Sequence, residues 1–470
     1  MNYKELGLKV GLEIHFQLNS NKLFCRCPSI LRDEEPDILV KRKLRAVSSE
    51  LGKKDIVAEY EIAKNKYAVY EAYKDTICLV ELDESPPEDI DKKAFKTALE
   101  IAMLLNCEIV DELQIMRKQV IDYSNTSGFQ RTGLLARNGY AKTNLGKVGI
   151  SMVCIEEDAA RKMNEQEDFV VYRLDRLGIP LVEIVTGPDI QSPEQAKEVA
   201  EYIGMLVKST GKKRGGIGSV RQDLNVSINK GARVEIKGVQ DLKGIPDIIN
   251  NEVLRQLKLI KEDKKVNSEV RNANPDGTSE FLRPMPGSTR LYPETDIPTI
   301  EITSELLSNI KKPELITEKI INIEKKYNIS SELAKEIFEK NINLDKFLMK
   351  NLDANYIARV LIDTPKEIKS RLNLDSDKLK EYDFLLVLRE ISNGIPRQAA
   401  IDMLSDIIKT GKLDVNKYKA VSDKTLEKDI YEIIKKNKGA SMNALIGEAM
   451  KKYRNKIDGK KIVELIKKLS

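Results

Sequence analysis

Short segments that alternate apolar and polar side chains recur through the first two thirds of the chain. In residues 10–18 the even positions are apolar, and the odd positions between them carry Glu13, His15 and Gln17. Because alternate residues of a strand point to opposite faces, this pattern predicts a half-buried strand with one polar face. The same pattern predicts further strands at residues 150–158, 181–185, 219–228 and 233–237.

Helical periodicity interrupts the strands twice and then replaces them. It predicts helices at residues 92–105 and 193–209, with a charged linker at 259–267. After about residue 301 it predicts helices at 313–327, 331–340, 345–350, 355–361 and 383–393, and a further helical set from about 396 to 470. The sequence therefore predicts an α+β protein: an antiparallel-sheet cradle domain (residues 1–300), an all-α helical domain (301–400) and a small helical tail domain (401–470).

Charge is unevenly distributed along the 470 residues. The net charge is +5, yet residues 401–470 hold 17 Lys and Arg against 10 Asp and Glu. A basic terminal module on a near-neutral body indicates an anionic partner, RNA above all, but charge alone favours the alternative of a merely solvated lysine-rich surface. The sequence shows no apolar run of ~20 residues and no secretory leader, so we expect a cytoplasmic protein that does not enter a membrane.

Acids and cations share the polar faces of the predicted strands. Glu183 stands between apolar neighbours, Glu157 ends a strand, and Arg221 and Lys237 lie on polar faces. Carboxylates that hold Mg²⁺, beside Arg and Lys that neutralise phosphoryl oxygens, are what phosphoryl transfer requires. Ordinary cross-strand ion pairing on a solvated face is the alternative, and the pattern alone leaves it open.

Two further features concern ligands. The segment 122–131, rich in hydroxyl and amide side chains, can donate hydrogen bonds to phosphate or ribose, although no Walker A motif is present. Cys25 and Cys27 form a C-x-C pair that can donate two zinc ligands, with Cys78 as a third. No second close pair follows, so the sequence favours cysteines that hold no metal over a structural Zn²⁺ site.

A series of longer motifs makes the chain recognisable. In order they are VGLEIHFQL, KLFCRCPS, CLVELDESPP, DYSNTSGFQRTG, CIEEDAARK, DRLGIPLVEIVTGPDI, GSVRQDLNVSI, RVEIKGVQDL and LRPMPGSTRLYPETDIP. Together they closely resemble the GatB/GatE family, and within it the archaeal E subunits of glutamyl-tRNA(Gln) amidotransferase. The resemblance extends from residue 10 to NKGASMNALIGEAMKKY near the end of the chain.

The resemblance implies a function. Family members of this type use ATP and Mg²⁺ to phosphorylate the γ-carboxylate of glutamate misacylated onto tRNA(Gln), and ammonia then displaces the phosphate. The ammonia would come from a separate, asparaginase-like glutaminase, the D subunit, which binds the cradle in a heterodimer or a dimer of heterodimers. No amidase or asparaginase-type nucleophile pattern is evident in this sequence, in agreement with that division of labour.

The resemblance also assigns residues. By motif position Glu13, His15 and Glu157 correspond to Mg²⁺ ligands, and Lys118, Glu157, Glu183 and Arg221 to the reacting centre. The ATP or glutamyl pocket would be lined by Ser124, Asn125, Ser127, Gln130, Arg131 and Lys237. Phosphates of the tRNA would contact Lys435, Lys436, Lys438, Lys451, Lys452 and Arg454.

Two departures qualify the resemblance. The E subunits carry an inserted domain similar to part of bacterial aspartyl-tRNA synthetase, whereas here only residues 261–269 join Ile260 to Val270. The cysteines also differ from those of zinc-bearing B subunits, since only Cys78 matches their downstream C-x-x-C. Two rivals therefore stay open: a B-type protein that also acts on Asp-tRNA(Asn), and a tRNA-binding scaffold without catalysis.

Overall fold

The computed structural model describes residues 1–43, 63, 65–120, 122–216, 218–285, 291–418, 423–437, 439–453, 457 and 459–469. Their contacts divide the chain into two compact units, residues 1–316 and 317–470. The first unit contains the strands and the second is helical. The α+β class predicted from the sequence is confirmed.

The strands of the first unit follow one another from residue 9 to residue 301. They are β1 (Lys9–Gln17), β2 (Ile38–Arg42), β3 (Tyr67–Ala72), β4 (Glu108–Ile109), β5 (Glu112–Leu113), β6 (Ile115–Gln119), β7 (Phe129–Thr143), β8 (Gly146–Glu157), β9 (Arg161–Glu165), β10 (Phe169–Arg173), β11 (Pro180–Thr186), β12 (Val220–Ser227), β13 (Val234–Val239), β14 (Glu269–Ala273), β15 (Ser279–Pro284), β16 (Leu291–Pro293) and β17 (Ile300–Glu301).

Most of these strands belong to one large sheet. Its order is β15-β14-β13-β12-β1-β11-β8-β7-β6-β16, with β4 paired to β7, and β1 lies at its centre. Neighbouring strands are antiparallel except β13 and β14, which are parallel. A smaller sheet, β2-β3-β10-β9, has its own core, and β5 pairs with β17. The predicted cradle sheet is thus antiparallel with one parallel pair.

Helices cover one face of the large sheet. They are α1 (Lys92–Leu104), α2 (Pro193–Ser209) and α3 (Ile245–Lys261), and a short α4 (Ser304–Ser308) follows. Ser192 caps α2 by accepting a hydrogen bond from Gln195 N, and Pro193 occupies the first turn, as the sequence predicted. Helix α3 was not predicted, and its last turn contains the start of the segment interpreted as a linker.

The core lies between these helices and the sheet. Leu12, Ile14 and Phe16 of β1 are buried beneath α2, together with the apolar faces of the neighbouring strands. The opposite face of the same strands has no helix among the described residues packed over its centre, and it carries the charged side chains. One sheet therefore has a hydrophobic face and a polar face, as period-2 alternation requires.

The second unit consists of helices. They are α5 (Ile316–Tyr327), α6 (Ser331–Glu339), α7 (Ala354–Leu372), α8 (Glu381–Ser392), α9 (Ala400–Thr410), α10 (Asp423–Lys436), α11 (Met442–Tyr453) and α12 (Gly459–Leu469). One apolar cluster joins residues between Ile329 and Tyr418, and another joins residues between Leu426 and Ile466. The three-domain division with boundaries at 300 and 400 stays a prediction. None of the described helices has the length and apolar character needed to span a bilayer.

Gly139 in β7 provides a test of this packing. A Cβ atom there would lie 2.2 Å from Cys107 Sγ and 2.7 Å from the carbonyl oxygen of Leu105, whereas a Cβ at Gly204 in α2 meets nothing within 4 Å. We expect Gly139→Ala to cost about 2–3 kcal/mol because a backbone atom must move. Gly204→Ala, the control, should gain about 0.5–1 kcal/mol by lowering the entropy of the unfolded chain. Calorimetric melting of both variants checks this, and equal midpoints would contradict it.

Candidate active site on the open face of the large sheet

The position of β1 at the centre of the sheet brings charged residues of three strands together. His15 lies opposite Glu183 of β11 on one side and opposite Arg221 of β12 on the other. Glu13 lies opposite Asp223 of β12. Since directly paired residues point to the same face, the antiparallel register alone places these side chains side by side on the open face.

Glu13, His15 and Glu183 form a set that could bind a cation. One ligand atom from each lies within 4.8 Å of the others. His15 Nε2 is 3.8 Å from Glu13 Oε1 and 4.0 Å from Glu183 Oε1. Burial, together with the nearby charge of Glu156, raises the pKa of Glu183 well above its usual value. A divalent cation would offset the repulsion between these carboxylates.

The partly exposed Lys118 pairs with the buried Glu156 beside this set. Lys118 Nζ lies 3.4 Å from Glu156 Oε1, and Glu156 Oε2 accepts a hydrogen bond from Gln130 Nε2 at 3.2 Å. Although burial alone would raise it, the charges of Lys118 and His15 hold the pKa of Glu156 below its usual value. The Glu156 carboxylate in turn raises the pKa of Lys118. The structure thus contains a charged ammonium at the edge of the site.

The structure corrects the placement of Glu157. It follows Glu156 in β8 and therefore points to the opposite face, away from Glu13 and His15. Its carboxylate contacts the guanidinium of Arg131 at 3.4 Å, and Arg131 Nε donates to Glu294 Oε2 at 2.9 Å. The expected cation set Glu13, His15 and Glu157 is therefore not assembled in this structure. Glu183 occupies the third position, and Arg131 belongs to the network around Glu157.

Arg221 and Lys237 lie on the open face with their charges already paired. Arg221 donates to both oxygens of Asp158, at 2.8 and 3.1 Å, and Asp158 is fully buried. Lys237 Nζ lies 2.6 Å from Asp223 Oδ2 and 2.6 Å from Glu235 Oε1. Burial would raise the pKa of Asp158, but Arg221 and the neighbouring Arg176 lower it. Both cations are thus held in fixed positions by carboxylates.

Two adjoining cavities open on this face. One, of about 450 Å³, is lined by the side chains of Glu13, His15 and Lys118 and reaches Gln130. The other, of about 740 Å³, extends to the smaller sheet and is lined by five cations and three acids. The cations are Lys162, Arg176, Arg221, Lys237 and Arg283, and the acids are Asp122, Asp158 and Glu165. Arg221, Lys237 and Asp158 line both cavities, which connects the cation-binding set to the cationic wall.

The hydroxyl-rich segment forms a loop beside the larger cavity. Ser124 lines the cavity and donates to Asp122 Oδ1 at 2.6 Å. Asn125 is buried, and Ser127 donates to the carbonyl oxygen of Phe129 at 2.9 Å. Among the described residues that line the two cavities, neither Asn125 nor Ser127 nor Arg131 occurs. Of the six residues expected to contact nucleotide or glutamate, the structure brings Ser124, Gln130 and Lys237 to the cavities.

The basic residues of the tail lie at the ends of two helices. Lys435 and Lys436 are in the last turn of α10, and Lys451 and Lys452 are in the last turn of α11. All four are exposed, and Lys452 Nζ pairs with Asp429 at 2.8 Å. Lys436, Lys451 and Lys452 line a shallow cavity of about 310 Å³ together with three acids. The expected contacts at Lys438 and Arg454 lie outside the described residues.

A second group of potential metal ligands lies apart from this face. Cys25, Cys27, Cys78 and Glu81 place one ligand atom each within 4.8 Å of one another. Burial and the Glu81 carboxylate raise the pKa of Cys27 to about 11 and also raise that of Cys25. The sequence had indicated the three cysteines but not Glu81, which stands at the spacing of a second C-x-x-C member.

Sequence reasoning also missed three residues of the polar networks. Asp158 forms an ion pair with Arg221, and Arg176 lies beside it. Glu294 forms ion pairs with both Arg131 and Arg117. Asp158 is the last of three consecutive acids at 156–158. That run indicates several functional acids but does not show which of them pairs with an arginine. Glu294 and Arg176 come from segments whose spatial position depends on the tertiary fold, and no local pattern indicates them.

The chain matches the family model described as GatB/GatE catalytic domain over residues 8–308. It is 37% identical to the E subunit of glutamyl-tRNA(Gln) amidotransferase from Methanocaldococcus jannaschii, with 100% of this chain and 99% of the relative covered. The proteins with the same name from Methanosarcina acetivorans and Archaeoglobus fulgidus are 35% and 34% identical, with 99% and 100% of this chain and 98% of each relative covered. The chain belongs to the GatB/GatE family.

The alignments show one difference in length. The comparison with the Methanocaldococcus protein extends over 624 positions, although this chain has 470 residues. The excess positions are filled only by the relative. An inserted domain that is absent from this chain would produce such a difference.

Separate substitutions of Glu183 and Glu157 test which of these two glutamates belongs to the cation-binding set with Glu13 and His15. We expect Glu183→Gln to weaken Mn²⁺ binding at least about tenfold, because one of three ligands loses its charge. Glu157→Gln should bind Mn²⁺ as the unsubstituted chain does but lose about 3 kcal/mol of stability, because Arg131 loses a buried partner. Electron paramagnetic resonance of free Mn²⁺ and urea unfolding measure the two effects. Loss of Mn²⁺ binding in Glu157→Gln alone would restore the original assignment.

Proposed function

We propose that this chain converts glutamate misacylated onto tRNA(Gln) into glutamine. The proposal rests on the GatB/GatE family membership and on relatives named as E subunits of glutamyl-tRNA(Gln) amidotransferase. In the first step an oxygen of the γ-carboxylate attacks the terminal phosphorus of ATP, which gives a γ-glutamyl phosphate and ADP. In the second step ammonia attacks the carbonyl carbon, phosphate leaves, and the amide remains.

One observation carries this proposal. The open face combines a carboxylate–imidazole set, Glu13, His15 and Glu183, with the ammonium of Lys118 and a cationic cavity next to them. A reaction between two anions, a carboxylate and a triphosphate, needs fixed positive charges where the negative charges meet. A scaffold that only binds RNA does not require buried carboxylates. Burial of a carboxylate destabilises the folded protein unless the carboxylate binds a cation.

The cations of the larger cavity are suited to hold a polyphosphate. Arg221 is fixed by Asp158 and Lys237 by Asp223, so their donors do not have to be ordered when an anion arrives. Arg283 Nε is buried, with no hydrogen-bond partner among the described residues. An anionic guest would supply that partner. Ser124 offers a hydroxyl on the same wall.

The residues of the smaller cavity are suited to the acceptor carboxylate. Lys118 Nζ stands at its edge and would neutralise the carboxylate oxygens of the glutamyl group. Gln130 fixes Glu156 through its amide and donates to the carbonyl oxygen of Glu157 at 2.6 Å, so Glu156 and Lys118 keep their relative position. Glu13, His15 and Glu183 would hold a Mg²⁺ ion, which when bound supplies charge neutralisation between the two anionic reactants.

Ammonia and tRNA require partners beyond this site. We infer that a separate asparaginase-like glutaminase delivers ammonia, in a heterodimer or a dimer of heterodimers. We also infer that the exposed lysines at the ends of α10 and α11 contact tRNA phosphates, since such contacts position a nucleic acid without reading its bases. The cytoplasm, where translation takes place, is the compartment this function requires.

The difference in length from the relatives favours a second candidate for the substrate range. Segments that are present only in the relatives cannot discriminate between tRNAs here. A B-type activity that also converts Asp-tRNA(Asn) is therefore the alternative. Competition between Glu-tRNA(Gln) and Asp-tRNA(Asn) in one assay separates the two, because only the broader enzyme is inhibited by the second substrate.

Lys118 provides the catalytic test. The purified chain with Glu-tRNA(Gln), ATP, Mg²⁺ and ammonium chloride should form Gln-tRNA(Gln). Lys118→Ala should lower the rate by about 10²–10³-fold because a charge at the reacting carboxylate is lost. Lys142→Ala, an exposed lysine in β7, is the matched control and should react normally. If neither the chain alone nor the chain with its glutaminase forms product, the result favours the alternative of a tRNA-binding scaffold without catalysis.

Charge reversal in the tail tests the contact with tRNA. The triple variant Lys435→Glu, Lys436→Glu, Lys451→Glu should bind tRNA more weakly and lower the slope of log affinity against log salt by about 2. The control variant reverses three exposed lysines of the first unit, Lys4, Lys74 and Lys142. Filter binding at several salt concentrations measures both. Equal slopes for the two variants would contradict the assignment of the tail.

A further inference from the structure

We propose that Glu294 is a positioning residue for Lys118, because it joins strand β6 to strand β7 through two arginines. The inference rests on the proposed function, in which the Lys118 ammonium neutralises the glutamyl carboxylate. Glu294 directly follows β16 and is 1% exposed. It lines neither of the two cavities, so it would act on the reaction only through the residues that it holds.

The pairing of β6 with β7 places two arginines opposite each other. Lys118 pairs with Gln130 on the open face, and Arg117 pairs with Arg131 on the other face. The two guanidinium groups lie 4.6 and 5.2 Å from the centre of the Phe129 ring. Like charges directly opposite each other destabilise the pairing of two strands. The register that places Lys118 therefore requires acids that compensate the two arginines.

Glu294 is the buried acid that contacts both arginines. Its Oε1 accepts a hydrogen bond from Arg117 Nη2 at 2.5 Å, and its Oε2 accepts one from Arg131 Nε at 2.9 Å. Among the described ion pairs, the other buried acid, Glu157, contacts Arg131 at 3.4 Å but not Arg117. Asp296 contacts Arg117 at 3.4 Å, but its side chain is exposed, and exposed pairs contribute little. We call Glu294 with Arg117 and Arg131 the Glu294 bridge.

The backbone and the charge of Glu294 keep the bridge in place. The Glu294 backbone N donates to the carbonyl oxygen of Ile115 in β6 at 2.9 Å, and the Asp296 backbone N donates to Glu294 Oε1 at 3.1 Å. Burial would raise the pKa of Glu294, but the hydrogen bonds from Arg117 and Asp296 and the charge of Arg131 lower it. The bridge therefore contains a charged carboxylate with donors on both oxygens.

The bridge affects Lys118 because its arginines are the chain neighbours of the residues on the open face. Lys118 follows Arg117, and Gln130 precedes Arg131, so a shift between the arginines also shifts Lys118 against Gln130. Lys118 and Gln130 both contact Glu156, at 3.4 and 3.2 Å. On its other side β6 pairs only with the three residues of β16. Misplacement of a reacting group by about 1 Å can lower a rate by about 10²-fold.

Hydrogen exchange tests the bridge without any substrate. Glu294→Gln should speed the exchange of backbone amides in residues 115–119 and 129–133, because one guanidinium loses its buried counter-charge. The control Glu252→Gln removes a buried carboxylate of α3 that accepts hydrogen bonds from Arg255 at 2.8 Å, and it should leave these amides unchanged.

If Glu294→Gln does not fold, Glu294→Asp replaces it, since the shorter side chain keeps the charge but reaches only one guanidinium from the same backbone position. The same amides should again exchange faster. Unchanged exchange in β6 of the folded variant would overturn the bridge, whether or not the chain forms product.

Steady-state kinetics test the link to Lys118. With Glu-tRNA(Gln), ATP, Mg²⁺ and ammonium chloride, Glu294→Gln should lower kcat about tenfold and leave KM for ATP within about twofold. In the Lys118→Ala background the same substitution should change kcat less than about twofold, because no ammonium remains to be positioned. A tenfold loss in that background, or a normal kcat in Glu294→Gln, would overturn the positioning role. An inactive unsubstituted chain would instead contradict the proposed function, and hydrogen exchange would still decide the bridge.

Removal of the opposing charge should rescue the variant. Arg117→Met keeps an aliphatic side chain beside Phe129 and leaves Arg131 paired with Glu157. The double variant Arg117→Met, Glu294→Gln should recover kcat to within about threefold of the unsubstituted chain, with β6 amides that exchange more slowly than in Glu294→Gln. Loss of a second side chain would not rescue a variant that is merely destabilised. A double variant as slow as Glu294→Gln would overturn charge compensation as the basis of the bridge.

Discussion

The register of β1 between β11 and β12 is the constraint on which the rest of the site depends. Each strand by itself presents an acid, an imidazole or a guanidinium on its polar face only at every second residue. Antiparallel pairing on both sides of β1 places His15 opposite Glu183 and Arg221 at once. A slip of one residue would move every charged side chain into the hydrophobic core and every apolar side chain into water. The burial of Leu12, Ile14 and Phe16 beneath α2 therefore secures the polar site on the other face.

Compensation of buried charge is the second organising feature. The acids of this region are held by cations from different strands: Asp158 by Arg221, Glu156 by Lys118, Glu157 by Arg131, and Asp223 by Lys237. Loss of one partner leaves the other buried and unpaired, which costs more than the pair contributes. The networks thus fix the positions of Arg221, Lys118 and Lys237 before any ligand binds. Preorganised charge of this kind is what phosphoryl transfer to a carboxylate demands.

Glu183 stands apart from this compensation. Its nearest charged neighbours include Glu156 and Glu13, and burial raises its pKa. In a sheet where other acids form ion pairs with Lys or Arg, this arrangement supports the proposal that Glu183 contributes to the binding of a divalent cation.

The sequence by itself determined the fold class, the polar-faced strands, most helices and the family, because these follow from local periodicity and from long motifs. It indicated Glu13, His15, Lys118, Glu183 and Arg221, which do lie on one face. It assigned Glu157 to the cation set, where the structure places Glu183 instead, and it did not indicate Glu81, Asp158 or Glu294. Adjacent residues of a strand face opposite sides, so only the sheet could decide whether Glu156 or Glu157 meets His15. Residues brought from distant segments leave no local pattern, and only tertiary packing could place Glu81 beside Cys25 and Glu294 beside Arg131.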